Sequence, residues 1–112
     1  MQIESLRPQE APERLRELSP DVQVAVLIDA VGSLVAASDD DAEELAGLVR
    51  ELVAEADAAA DSPPEQVEVQ VDGGAVVLSR NSHYALAAVT RKTALSSLVL
   101  YDQRVLLGAV ES

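Results

Sequence analysis

The sequence of 112 residues contains no cysteine, phenylalanine or tryptophan, and it has only one methionine and one histidine. Without cysteine, a disulfide framework, a thiolate zinc site and a cysteine nucleophile are all excluded. Two tyrosines are the only Phe, Trp or Tyr rings, so the chain lacks the stacking platforms on which single-stranded nucleic acids bind. These absences remove several classes of enzyme and binding protein before any motif is considered.

Positive charge is also scarce. Eight Lys and Arg residues stand against 20 Asp and Glu residues, which gives a formal net charge of −12. Such a chain repels phosphate backbones and anionic lipid headgroups, so we expect no nucleic-acid partner. The apolar run 105–110 is far shorter than the roughly 18 residues that a membrane span needs, and the N-terminus has no signal-peptide pattern. We therefore expect a cytoplasmic protein without a membrane span.

Apolar residues are abundant, at 48% of the chain. They are almost entirely Ala, Val and Leu, which predicts a core of short aliphatic side chains that needs no metal or disulfide. The length fits a single domain over residues 1–112. Residues 1–11, with Pro8, are expected to form a flexible N-terminal segment.

The first half of the chain predicts one helix, two strands and a longer helix. A short helix fits between Pro12 and Pro20. Residues 22–29 alternate as a strand, and residues 34–38 follow Gly32 as its hairpin partner. Asp41 and Glu44 have the spacing of a capping box at the start of the long helix, which ends at residues 62–64. The apolar positions predicted for one face of the strand are Val22, Val24, Val26 and Ile28. The apolar stripe predicted for the long helix is Leu45, Leu48, Val49, Leu52, Val53, Ala56 and Ala60.

The second half predicts three strands and a final helix. Residues 67–71 alternate valine with polar residues, which is typical of a strand with one apolar side. Asp72, Gly73 and Gly74 favour a hairpin turn into residues 75–80, and residues 84–91 are apolar on both faces, as in a central strand. Residues 93–110 predict a helix that buries Leu95, Leu98, Val99, Leu106 and Ala109. A hairpin of residues 98–101 with 105–110 is the alternative for this last segment.

The resulting order, α-β-β-α-β-β-β-α, predicts an α+β sandwich with an antiparallel sheet and helices on both faces. This order and several local phrases resemble the roadblock family of dynein light chains and bacterial GTPase regulators. The phrases are residues 15–18 (LREL), residues 24–29 (VAVLID) and Gly32 followed by residues 34–36 (LVA). Asp29 with Gly32 comes nearest to a signature, and the resemblance covers residues 12–110.

The resemblance implies a five-stranded, profilin-like sheet and a homodimer in which the third strands and the long helices meet across a two-fold axis. The residues independently favour a dimer, because a proline-free strand at a sheet edge associates unless it is covered or paired. Glu68 and Asp72 bring like charges near such a pairing, so its register matters. The predicted dimer interface is Val67, Glu68, Val69, Gln70 and Val71.

No residue pattern indicates catalysis, a metal or a cofactor, so we predict a protein that is not an enzyme. His83 has poor ligand neighbours and is read as a surface loop residue. Arg50 is the only basic residue of the long helix; it is either an arginine finger for a nucleotide phosphate or a surface residue paired with Glu43 or Glu51. Arg80, Arg91 and Lys92 are expected at one positive end of the third hairpin.

The resemblance implies that the partner is a small Ras-like GTPase, which the homodimer binds and regulates in a signalling process. One alternative is a dimeric scaffold in a signalling or motor assembly that does not depend on nucleotide. Another is a small-molecule sensor that uses a face of the sheet as its pocket, although the poverty in aromatic residues argues against a large cavity. The surface predicted to bind the partner is the exposed side of the long helix, with Glu44, Gly47, Arg50, Glu51 and Glu55.

Overall fold

The computed structural model describes residues 5–40, 42–59, 61 and 64–110. A 3-10 turn at Pro8–Glu10 leads into α1 (Ala11–Leu18), β1 (Val22–Asp29), β2 (Leu34–Ala37), α2 (Glu43–Ala59), β3 (Gln66–Val71), β4 (Gly74–Arg80), β5 (Tyr84–Arg91) and α3 (Ser96–Ala109). The five strands form one antiparallel sheet in the order β2-β1-β5-β4-β3. The predicted fold class and element order are confirmed, with β5 at the centre and β3 at an edge.

The two faces of the sheet carry different helices. One core lies beneath α1 and α3 and contains Leu15, Leu27, Val77 and Leu106. The other lies beneath α2 and contains Val26, Val49 and Leu78, among others. The sheet is therefore the middle of three layers, as expected for a sequence whose central strands are apolar on both sides.

The N-terminal segment that the sequence predicts to be flexible is described from Ser5 onward. Leu6 is 4% exposed in the core beneath α1 and α3. Its backbone N–H donates to the carbonyl of Ala109 at 2.8 Å, and it forms a bridge with Val110. Leu6 therefore packs against the end of α3.

The predicted placement of Val22 on the same face of β1 as Val24, Val26 and Ile28 is wrong, whereas the other three do share a face. The register of β1 on β5 shifts between Val22 and Val24, so Val22 joins the core beneath α1 and α3 while Val26 and Ile28 face α2. Ala25 and Leu27 are also fully buried, on the side opposite to Val26. An irregularity of this kind turns the chain by one residue and exchanges the two faces.

The final segment is a helix, as predicted, but its buried side differs from the prediction. Leu95 and Leu98 are 65% and 59% exposed, whereas Gln103 is fully buried. The Gln103 amide donates to the carbonyl of Val77 at 3.0 Å and accepts from the Ser79 hydroxyl at 3.1 Å. These two bonds satisfy the polar side chain inside the core, which is the condition for burying it.

The ends and the apolar stripe of α2 differ in part from the prediction. Asp41 and Ala60, which the sequence places at the ends of this helix, lie outside the described residues. Leu48, predicted to be buried, is 37% exposed. Within the described part of the chain, no helix has the length and hydrophobicity required to cross a membrane.

Candidate functional site

β3 is an edge strand with one side unpaired. Among the described residues it pairs only with β4, from Gln66 opposite Ser79 to Val71 opposite Gly74. The Arg80 N–H donates to the carbonyl of Glu65 at 2.8 Å, so the backbone of residue 65 points toward β4. Because backbone groups alternate in direction along an antiparallel strand, the N–H and C=O groups of Glu68 and Gln70 point to the free edge.

The two faces of β3 differ sharply in polarity. Val67 packs on the core beneath α2, and Val69 and Val71 point to the same side because side chains alternate. Glu68 and Gln70 point to the α3 side. There the Gln70 amide donates to Glu68 at 3.0 Å, and the Ser96 hydroxyl donates to the same carboxylate at 2.6 Å. The predicted interface residues thus form a strand with an apolar side and a polar side.

Helix α2 covers only part of its face of the sheet. The Arg50 guanidinium donates to the carbonyl of Gly32 and Asp57 accepts from Arg80, which holds α2 over the end of the sheet where the β1–β2 and β4–β5 turns lie. Toward the other end, Val24 and Val89 are half-buried, although Val26 and Ala87 on the same face are fully buried. An apolar part of the sheet is therefore open beside the helix.

Two leucines extend this apolar surface onto the helix. At 100° per residue, Leu48 and Leu52 lie on the flank of α2 opposite to Arg50 and Asp57. Leu52 is half-buried, and Leu48 and Val71 are 37% and 39% exposed. We call this surface the open apolar face. Its members are Val24, Leu48, Leu52, Val69, Val71 and Val89.

The outer surface of α2 is acidic. Of the residues predicted to bind a partner, Glu44, Glu51 and Glu55 are exposed, and Gly47 is half-exposed. A Cβ atom built on Gly47 meets only the end of the Arg50 side chain, at 4.0 Å, so the helix backbone is accessible at this point. Glu44, Gly47, Glu51 and Glu55 share one surface.

The Arg50 side chain lies outside this surface and contacts the β1–β2 turn instead. In that turn the Asp29 carboxylate accepts from the N–H groups of Val31 and Ser33 at 3.0 and 2.9 Å, and Gly32 adopts a φ of 89° that favours glycine. Arg50 donates to the Gly32 carbonyl and lies 3.8 Å from Glu43. Asp29 and Gly32, which stand out in the sequence, thus shape the turn that α2 contacts.

The prediction that Arg80, Arg91 and Lys92 form one positive end is wrong. Arg80 ends β4 and Arg91 ends β5, so antiparallel pairing places them at opposite ends of the hairpin. Arg80 is 13% exposed. Its guanidinium donates to both carboxylate oxygens of Asp57 and, at 2.7 Å, to the carbonyl of Pro64. No local pattern in the sequence predicts this pair, because 23 residues separate its partners.

The Arg80–Asp57 pair predicts a pH dependence of stability. Hydrogen bonds from Arg80 hold the pKa of the Asp57 carboxyl below its usual value of 3.8. A carboxyl whose pKa is depressed in the folded state contributes stability above the pKa of the unfolded state, and that contribution is lost as pH falls through the folded value. In urea unfolding, the native chain should have a higher free energy of unfolding than Arg80→Met. This difference should be full at pH 5 and shrink below pH about 3.8.

A matched control for this prediction is Arg14→Met, which removes an exposed pair with Glu17 at 3.5 Å. Exposed pairs contribute about 0–1 kcal/mol, so this variant should unfold nearly like the native chain at every pH. If the difference in free energy of unfolding between the native chain and Arg80→Met were the same at pH 2.5 and pH 5, the assigned role of the ion pair would be wrong.

A cavity of about 670 Å³ lies at the turn end of the sheet. Its base is apolar, with Ile28, Val53 and Ala85, and its rim carries Arg50 and Asn81. Ile28 and Ala85 belong to the face of the sheet that α2 covers, so the cavity lies at the turn end of a sheet face, where the sensor hypothesis expects a pocket. His83 is exposed in the adjoining β4–β5 turn, as predicted.

Comparisons with known proteins identify a family for this sequence and solved structures that share its fold. The family model described as the Roadblock/LC7 domain matches residues 10–91. A Roadblock/LC7 domain from Streptomyces avermitilis superposes with a TM-score of 0.81 at 21% identity, covering 92% of this chain and 93% of the other. Myxococcus xanthus MglB gives a TM-score of 0.76 at 16% identity and covers 90% and 89% of the two chains.

The resemblance to profilin extends to solved structures as well. Profilin from Schizosaccharomyces pombe superposes with a TM-score of 0.65 at 13% identity, covering 90% of this chain and 94% of the other. At these identities the superpositions show a shared fold. Among curated proteins, none matches this sequence.

Proposed function

Because the chain belongs to the Roadblock/LC7 family, whose domains are regulatory interaction modules, we propose that it is a cytoplasmic, non-catalytic homodimer that binds and regulates a small Ras-like GTPase. The observation that carries the proposal is the unpaired edge of β3 beside the open apolar face. A surface of this kind on a small domain is typical of a protein interface.

A second copy of the chain is the partner that fits this edge. An unpaired, proline-free strand is prone to associate, and antiparallel pairing with its own copy satisfies the outward backbone groups of Glu68 and Gln70. A two-fold axis perpendicular to the sheet keeps both α2 helices on one side. The valines of β3 and the leucines of α2 are then covered in both copies at once.

The GTPase is assigned to the acidic surface of α2. Glu44, Glu51 and Glu55 attract a basic surface on the partner, and the two-fold axis brings two such surfaces together. Gly47 leaves space for close approach of a partner side chain. Regulation then results from preferential binding of one nucleotide state, which shifts the GTPase toward that state.

The contacts of Arg50 support a role for this module without chemistry of its own. An arginine finger must reach a nucleotide phosphate in the partner. Here the guanidinium is hydrogen-bonded to the Gly32 carbonyl and lies near Glu43. We propose that Arg50 positions α2 on the β1–β2 turn.

Charge reversal on α2 tests the proposed GTPase surface. The probe is a small Ras-like GTPase from the same genome, loaded with GDP or with a non-hydrolysable GTP analogue, and binding is measured by calorimetry. We expect one nucleotide form to bind more tightly. Glu51→Lys combined with Glu55→Lys should weaken that binding by at least about tenfold, because like charges then face the basic partner surface.

The matched control is Glu13→Lys with Glu17→Lys, which reverses two exposed charges at the same spacing on α1, on the opposite face of the sheet. This variant should bind like the native chain. Equal binding of both nucleotide forms would favour the nucleotide-independent scaffold over a regulator. No binding in either form would overturn the proposed GTPase partner and leave the homodimer to be tested separately.

A further inference from the structure

We infer that the two β3 strands of the homodimer pair in one register, with Val69 opposite Val69 of the second copy. The inference rests on the proposed homodimer and assigns the residue contacts at its centre. It follows from the direction of the backbone groups, the separation of the two faces and the distribution of charge along β3.

The faces of the sheet limit the possible registers. A two-fold axis perpendicular to the sheet keeps the α2 sides of both copies together, so valines must lie opposite valines and polar residues opposite polar residues. The numbers of two opposed residues must therefore add up to an even number. This sum is the same for every opposed pair of a register and identifies that register. This rule agrees with the backbone directions, since Glu68 and Gln70 both direct their N–H and C=O groups to the free edge.

Strand length narrows the choice to two registers. With β3 at Gln66–Val71, sums of 136 and 138 each oppose five strand residues, and every other even sum opposes fewer. The sum of 136 places Glu68 opposite the Glu68 of the second copy, and like charges that face each other destabilise a strand pair. The next register, a sum of 140, places Glu68 opposite Asp72.

In the register with a sum of 138, the carboxylates of Glu68 and Asp72 each lie opposite an amide. Gln70 faces Glu68 and Gln66 faces Asp72, in both directions across the two-fold axis. Within one copy the Gln70 amide already donates to Glu68 at 3.0 Å, so the two groups lie on the same side of the sheet. On the α2 side, Val69 meets Val69 and Val67 meets Val71, which joins the open apolar faces of the two copies.

Single cysteine variants read the register directly, because the native chain has no cysteine. Opposed residues of a non-hydrogen-bonded pair have Cα atoms about 4.5 Å apart, within the range for a disulfide. A displacement by two residues separates them by more than about 7 Å, which prevents the bond. Under mild oxidation, Val69→Cys should therefore form a covalent dimer, whereas Glu68→Cys and Gln70→Cys should remain largely uncrosslinked.

Each outcome has a distinct meaning. Crosslinking of Glu68→Cys or Gln70→Cys in preference to Val69→Cys overturns the register while leaving the homodimer intact. A dimer that crosslinks at none of these positions overturns strand pairing. A monomer by light scattering in all variants and in the native chain overturns the proposed homodimer itself.

A charge exchange supplies a second test that does not depend on oxidation. The Gln70→Glu substitution places a carboxylate opposite Glu68 in both symmetry-related pairs of the dimer. It should therefore raise the dimer dissociation constant by roughly 2- to 30-fold. Adding Glu68→Gln restores an amide opposite each carboxylate and should bring the constant back to within about threefold of the native value. Failure of the second substitution to restore dimerisation would contradict the assigned register.

Discussion

Val69→Asp is expected to convert the protein from a dimer into a monomer. Val69 is half-buried at the centre of β3, with its side chain toward α2. In the proposed dimer the substitution places two carboxylates opposite each other, in an apolar interface between chains that each already carry a net charge of −12. Sedimentation should then report 11.8 kDa in place of twice that mass.

The control for this prediction is the same substitution at a valine outside β3. Val31 is 86% exposed in the β1–β2 turn, away from β3, so Val31→Asp should remain a dimer. Circular dichroism of both variants checks that the fold is retained. A Val69→Asp variant that sediments as a dimer would show that β3 is not the interface.

Leu106→Ala is expected to cause the largest loss of stability from a single core substitution. Leu106 is fully buried on α3, in the core that also contains Leu15 and Val77. Removal of a buried leucine side chain costs about 2–5 kcal/mol, from the lost transfer free energy and the cavity left behind. Since a domain of this size has a total stability of about 5–15 kcal/mol, the urea midpoint should fall markedly.

Leu98→Ala makes the same chemical change on the same helix at a position that is 59% exposed. Its effect should lie within about 0.5 kcal/mol, as for other surface substitutions. Equal losses from Leu98→Ala and Leu106→Ala would contradict the assignment of the buried face of α3. Unfolding must be compared at one protein concentration, because dimerisation adds to the apparent stability.

The sequence predicted β3 well because one physical rule governs it. Valine alternates with Glu and Gln over residues 66–71, and a strand with one polar side fits an edge. It predicted the burial of α3 less well, because Gln103 enters the core through bonds to Val77 and Ser79. Such long-range bonds allow a polar side chain to be buried, and hydropathy alone does not reveal them.

The candidate site was likewise predictable from the sequence only in part. Its edge strand and acidic helix surface were recognised from local patterns. The incomplete cover of the sheet was not, because it depends on where α2 lies. Arg50 at Gly32 and Arg80 at Asp57 contribute to that position together with the buried side chains of Leu45, Ala46 and Val49. Neither polar contact follows from spacing along the chain.

These contacts connect the fold to the proposed function. By holding α2 over the turn end of the sheet, they leave Val24 and Val89 half-buried and Leu48 exposed. The second copy is proposed to cover that face, and in the proposed dimer the acidic surfaces of both α2 helices remain free for the proposed GTPase.

Amide hydrogen exchange along β3 tests the central claim most directly. The N–H groups of Val67 and Val69 point toward β4, whereas those of Glu68 and Gln70 point away from it. If two copies join through this strand, all four amides should be protected at concentrations where the dimer forms, and Glu68 and Gln70 should lose protection on dilution. Rapid exchange at Glu68 and Gln70 at every concentration, beside protected Val67 and Val69, would contradict the account.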